Sequence, residues 1–210
     1  MLNTQIFLNE VIPKKERAYI VGAGHQSCEQ AYEIINDLGL SNKIRTKKSL
    51  TNFRSLLYEA HIKELADTGL ISFDYVPRKN KNKTDEYGLL IGDKIQFTLS
   101  HVSSAYAFPK PAKFRKELAV MTKFQNLFEE LRPKPSEGKV YSVLTFGGYT
   151  GKLMFVTIGI PDASCRGWFG EPFNMYDRMR HLEVVGAQEE FVEMKKPDLK
   201  KVKEFLVDRI

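Results

Sequence analysis

The chain has 210 residues, of which 42% are apolar and 28% charged, and its net charge is +6. A chain of this size buries about 70% of its unfolded surface, so it folds without a metal or disulfide framework. Its two cysteines lie 137 positions apart, which excludes a disulfide-rich scaffold and fits a reducing compartment. The composition is ordinary for a globular domain, so disorder is not the default expectation.

The sequence contains no segment that would cross a membrane as a helix. The longest apolar stretch without charge, Leu153–Pro161, has about half of the ~20 residues that a transmembrane helix needs. The first residues lack a basic cluster followed by an apolar run, the pattern of a signal peptide. We therefore expect a soluble, cytoplasmic protein with no membrane partner.

The positive charge is unevenly distributed. Residues 1–139 hold 22 Lys and Arg against 16 Asp and Glu, whereas residues 140–210 hold 10 of each class. A field of this sign attracts nucleic acid or an acidic protein surface. A mildly basic protein without any polyanionic partner would show the same total charge.

The N-terminal region has the pattern of a strand, a turn and a helix. Ala18–Val21 is short and apolar, which indicates a buried strand, and Gly22 and Gly24 follow it. Ser27 is a suitable N-cap for a helix through residues 30–38.

The clearest helix begins near Ser49 and is stopped by Gly69. Its apolar stripe has helical spacing and consists of Leu50, Phe53, Leu57, Ala60 and Leu65. The alternating segment Leu70–Val76 then predicts a strand that Pro77 ends, and Tyr87–Leu99 predicts a second strand region. The two form a hairpin or meander with a polar, charged tip.

The remaining chain predicts a helix, a hairpin and a final helix. Phe114–Leu131 has helical spacing, and Gly147–Gly151 separates two strands, Val140–Phe146 and Lys152–Ile160. Pro197 begins the last helix. We expect a single α+β domain over residues 1–210, with a mostly antiparallel sheet and three to four packed helices. A soft sub-boundary near residues 132–139 coincides with the charge break.

The helix and hairpin of the N-terminal half carry the main functional hypothesis. In order of elements they resemble the helix–hairpin unit of winged-helix proteins, which implies a helix in the major groove and a hairpin tip on phosphate. The residues expected to contact the nucleic-acid backbone are Lys47, Lys48, Arg54, Arg78, Lys79, Lys81 and Lys83. A solvated hairpin tip without a ligand would have a similar composition.

The segment Gly22–Ser27 resembles the glycine-rich turn of dinucleotide-binding Rossmann proteins, which implies a phosphate held at a helix N-terminus. Two glycine positions match and Ser27 stands at the third. The acidic residue of that family, expected about 20 positions on, is absent, because the stretch there is basic. A flexible strand-to-helix turn is the competing interpretation.

Two further patterns lie in the C-terminal third. Asp177, Glu193 and Lys195 resemble the metal-binding core of restriction-type nucleases, which implies carboxylates on Mg²⁺ and a lysine that activates water. Arg166, Trp168 and Phe169 share a glycine-containing loop, where they suit base stacking or a protein contact. A loop packed over its own core is the alternative for this aromatic pair.

Residues typical of metal sites are too few for a ligand set. His25 and Cys28 are three positions apart, but no second pair completes four ligands, so we expect no metal and no cofactor. The leading hypothesis is a non-enzymatic nucleic-acid-binding protein with DNA as its first candidate partner. The alternatives are an inhibitor or adaptor that binds an acidic protein, and a metal-dependent nuclease.

Overall fold

A computed structural model describes residues 4–37, 46–80, 86–119, 138–162 and 164–176. The helices are α1 (Thr4–Val11), α2 (Lys14–Asp37) and α3 (Thr46–Asp67), and residues 113–119 are also helical. The strands are β1 (Asp74–Lys79), β2 (Glu86–Ile91), β3 (Ile95–His101), β4 (Val140–Tyr149), β5 (Lys152–Gly159) and β6 (Phe173–Asn174). The predicted α+β class is confirmed.

The six strands form one sheet in sequence order, β1 to β6. Every neighbouring pair is antiparallel except β3 and β4, which run parallel with His101 opposite Phe146. Parallel neighbours need a crossover connection. Residues 102–139 make it here, so the predicted helix Phe114–Leu131 belongs to this connection, and the structure describes its first part only.

Both faces of the sheet are covered. On one face Leu144, Phe146 and Ile158 join the core formed with α1, α2 and α3. On the other face Tyr141 and Val143 pack with Ala119, Cys165, Phe108 and Trp168. The centre of the sheet is therefore covered on both sides, and the exposed residues of the described sheet include those at its ends and on the edge strand β1.

The predicted strand Ala18–Val21 and the glycine turn after it are wrong, since all of these residues lie inside α2. Residues Ile20, Gly24, Cys28, Ala31 and Ile35 are buried at helical spacing, so the apolar run continues one helix face. A Cβ on Gly24 would lie 3.1 Å from the Leu153 side chain, which explains a glycine where α2 crosses β5. The Rossmann-type phosphate turn does not form.

Strand boundaries differ from the prediction at Pro77. This proline lies inside β1, opposite Gly88, because β1 is the edge of the sheet and an edge strand tolerates a missing N–H. The region Tyr87–Leu99 is divided into β2 and β3. Gly69 ends the turn after α3 with a φ of 68°, as expected of a glycine helix stop.

None of the helices in the described ranges is long and apolar enough to cross a bilayer. The last predicted helix, from Pro197, lies outside the described residues.

A buried histidine joins α2 to α3. His61 is 2% exposed, and its Nε2 lies 3.1 Å from the Gln30 Oε1. Burial lowers the pKa of His61 to about 4, because the charged imidazolium would be desolvated there. The folded protein therefore holds this imidazole neutral well below the pH at which an unfolded histidine takes up its proton.

We expect stability to fall as the pH is lowered from about 6.5 to 4, because the unfolded chain then binds a proton that folded His61 does not. The full effect is about 3 kcal/mol. Urea unfolding should show a flatter pH dependence in His61→Gln, because its amide side chain does not titrate over this range. Burial lowers the pKa of His101 as well, but that residue is unchanged in both proteins, so their difference isolates His61. If the unfolding free energies of the two proteins had the same pH dependence, the role assigned to His61 would be contradicted.

Candidate nucleic-acid interface

The strand directions bring several chain segments to one end of the sheet. β1 ends at Lys79 opposite Glu86, where β2 begins, and β3 ends at His101 beside the last residues of β4. The tip of the β4–β5 hairpin, residues 149–152, extends this same end. We call it the hairpin end. The turn between β2 and β3, which contains Lys94, and Gly159 at the end of β5 lie at the opposite end.

Helix α3 also begins at the hairpin end. The Arg54 guanidinium donates to the carbonyls of Gly148 and Thr150 at the hairpin tip, and Leu65 near the last turn packs with Ile71, before β1. The backbone of residues 47–48 precedes Arg54 by six or seven positions, about 10 Å of helix. The backbone that carries Lys47 and Lys48 is thus brought to the same end as Arg78 and Lys79.

Arg78 and Lys79 fit the predicted interface, because both are exposed on the edge strand. Glu86 lies directly opposite Lys79 in the strand register and offsets part of its charge. Lys81 and Lys83 lie outside the described residues. In the described part of the chain, Arg78 and Lys79 are therefore the predicted cations that remain exposed.

Arg54 is a correction to the predicted set. Its side chain is 4% exposed, and its guanidinium is used to bind the hairpin carbonyls, so it cannot reach a phosphate. Burial lowers the pKa of Arg54, and the nearby Cys28 counteracts this in part. From sequence alone, a basic residue near the start of a helix is expected to be an exposed cation. The structural role of Arg54 becomes visible only when the β4–β5 hairpin is placed against α3.

Replacing Arg54 by Met should lower the free energy of unfolding by about 2–3 kcal/mol, because two charge-assisted hydrogen bonds are lost. Urea unfolding measures this change. The matched control is Arg78→Met, at an exposed position, where we expect a change within about 0.5 kcal/mol. Equal losses in the two variants would show that Arg54 does not anchor the hairpin.

Helix α3 is packed between α2 and the sheet. Of its residues 49–66 only Asn52 is exposed, and Leu57, Tyr58, Ile62 and Leu65 are in the core. Because the other side chains are half-buried or buried, the described part of α3 offers little surface to a major groove, and the groove-binding helix implied by the winged-helix resemblance stays a prediction. Only the first turn of α3 is placed to contribute to an interface at the hairpin end.

Two residues at the hairpin end were not among the predicted site residues. Tyr149 is 75% exposed at the hairpin tip, and Lys152, its cross-strand neighbour, is also exposed. The sequence contained a signal for Tyr149, since an aromatic side chain among Gly147, Gly148 and Gly151 has no large neighbour to pack against. The hairpin was predicted, but its one aromatic tip residue was not assigned a role.

The loop with Arg166, Trp168 and Phe169 lies at the opposite end of the sheet. Trp168 is half-buried; its Nε1 donates to the Tyr106 carbonyl at 3.1 Å, and its ring packs edge-on to Phe108 at 4.8 Å. Arg166 and Phe169 are exposed. Trp168 therefore covers the protein's own core, and this loop is not continuous with the hairpin end.

Gly159→Ala should displace the only tryptophan, because the new Cβ would lie 2.5 Å from the Trp168 ring. We expect a red-shifted tryptophan emission and a loss of about 1–3 kcal/mol in unfolding free energy from overpacking. Gly138→Ala is the matched control, because nothing lies within 4 Å of the added methyl group. An unchanged emission spectrum in Gly159→Ala would contradict the contact.

Neither an activated Cys28 thiol nor a metal-ligand cluster is found among the described residues. Burial raises the pKa of the Cys28 thiol to about 11, which keeps it protonated and unreactive near neutral pH. Among the residues that the structure describes, no group of three His, Cys, Asp or Glu side chains could hold a metal ion. The nuclease-like Asp177, Glu193 and Lys195 all lie outside the described residues.

No protein-family model matches the chain, and no curated protein or solved structure matches it either.

Proposed function

We propose that this protein binds nucleic acid, without catalysing a reaction on it, through the hairpin end of its sheet. The observation that carries the proposal is the convergence of two basic segments that are some 30 positions apart in sequence. The start of α3, with Lys47 and Lys48 in its backbone, and the edge-strand residues Arg78 and Lys79 lie at one end of the molecule. Clustered cations of this kind neutralise phosphates and release counterions.

The shape of the molecule supports this choice of surface. Both faces of the sheet are covered at its centre, so an extended polyanion reaches the strands at an end or along the exposed edge strand β1. The hairpin end presents three exposed cations on two strands of the sheet, Arg78 and Lys79 on β1 and Lys152 on β5. Contacts of this type go to the phosphate backbone and set affinity rather than sequence preference. DNA is the partner we would test first.

The double variant Arg78→Gln/Lys79→Gln should bind a DNA oligonucleotide more weakly than the wild type. Because each phosphate contact contributes about 0.9 to the slope of log K against log salt, the slope should become shallower by about 2. Fluorescence anisotropy between about 50 and 200 mM salt measures both quantities.

Two controls make this test specific to the hairpin end. Glu86→Gln removes the carboxylate opposite Lys79 and should strengthen binding, whereas Lys94→Gln, an exposed cation at the opposite end, should leave it unchanged. Binding that does not weaken with salt, or an equal effect of Lys94→Gln, would refute the proposed interface. A protein complex that survives nuclease treatment while DNA binding is absent would instead support an acidic protein partner.

A further inference from the structure

Tyr149 is the most exposed large apolar side chain in the described part of the chain, at 75%. It lies at the tip of the β4–β5 hairpin, where β4 ends, opposite Lys152. A ring in this position contributes little to packing, so it is not explained by the stability of the fold. An exposed aromatic residue next to an exposed lysine is better explained by binding than by packing.

The hairpin tip holds the backbone at Tyr149 in place. The Arg54 guanidinium binds the carbonyls of Gly148 and Thr150, which are the residues on either side of Tyr149. Gly151 lies against Tyr32 of α2, since a Cβ there would be 3.3 Å from that side chain. Thr150 has a φ of 52°, a conformation that non-glycine residues seldom adopt. Contacts with α3 and α2 thus hold the backbone around Tyr149 in place.

We propose that Tyr149 is a stacking platform for an unpaired base, so that the hairpin end binds single-stranded nucleic acid in preference to duplex. This inference rests on the proposed function and deepens it. A tyrosine on an anchored backbone has only two side-chain torsions to order, so it loses little conformational entropy when it stacks on a base. In a duplex both faces of each base are already covered by neighbouring bases, so only an unpaired base offers its face to the ring.

The charges around the ring favour a nucleotide over an apolar partner. Lys152 is directly opposite Tyr149 in the hairpin, and Lys79 lies at the same end of the sheet. A base on the ring would bring its own phosphate close to the Lys152 ammonium group. Single-strand-binding proteins combine the same two parts, a basic path for the backbone and aromatic rings for the bases.

The test measures binding of the full chain to a labelled oligothymidylate and to a duplex of the same length by fluorescence anisotropy. Tyr149→Ala should weaken single-strand binding roughly ten-fold and leave duplex binding and the salt slope unchanged. Tyr149→Trp should retain or improve single-strand affinity. Urea unfolding should show equal stability for all variants, because the side chain is exposed.

Tyr106→Ala is the matched control. Tyr106 is 60% exposed, and its carbonyl contacts Trp168 at the opposite end of the sheet, so its removal should not change binding. If the protein binds both oligonucleotides but Tyr149→Ala binds as the wild type does, or as Tyr106→Ala does, the stacking inference is refuted and the proposed function remains. If the wild type binds neither oligonucleotide, the proposed function and this inference both fail.

Discussion

The contact between Arg54 and the β4–β5 hairpin organises the accessible end of this protein. A guanidinium that is almost fully buried needs compensation for its lost hydration, and here it comes from two backbone carbonyls. The hydrogen bonds tie the first half of α3 to the tip of the longest hairpin. The same interaction sets the position of the helix start and stiffens the residues around Tyr149. A change at Arg54 would therefore disturb the arrangement of the whole end of the sheet.

The sheet gives a physical reason for placing the proposed interface at an end. Its one parallel pair, β3 and β4, requires a long connection, and the part of that connection which the structure describes covers the face opposite the helices. Phe114 stacks on Tyr87 at 3.9 Å and joins this cover to the region near the edge of the sheet. With both faces occupied, the loops and hairpin tips carry the exposed polar and aromatic groups. Binding residues are commonly found on such loops, held in place by a rigid scaffold.

Charge and rigidity have separate roles in the proposed interface. The cations of the hairpin end provide long-range attraction that depends on salt, and Glu86 moderates it locally. The tip of the β4–β5 hairpin offers an aromatic ring on an anchored backbone, and the contact of that ring with a base would depend little on salt. Affinity for any polyanion would come from the first part, and preference for unpaired bases from the second. The two contributions are physically independent and can be altered one at a time.

The residues themselves determined the fold class, the helix ended by Gly69 and the glycine-rich β4–β5 hairpin, because these depend on local periodicity and turn chemistry. Local patterns failed where distant packing decides. Gly22 and Gly24 signal a turn in isolation, but the continuing apolar face of α2 and the closeness of Leu153 make them part of a helix. Pro77 is accepted in a strand only because β1 lies at the edge of the sheet.

The site shows the same division. That the chain carries basic segments could be read directly, since charge is a property of composition. Which cations remain available was decided by tertiary structure: Arg54 turns inward to hydrogen-bond partners more than 90 positions away, while Arg78 stays exposed. Tyr149 gains its fixed position from the same distant contact. A sequence records which groups are present, but burial and long-range hydrogen bonds arise only when the chain closes on itself.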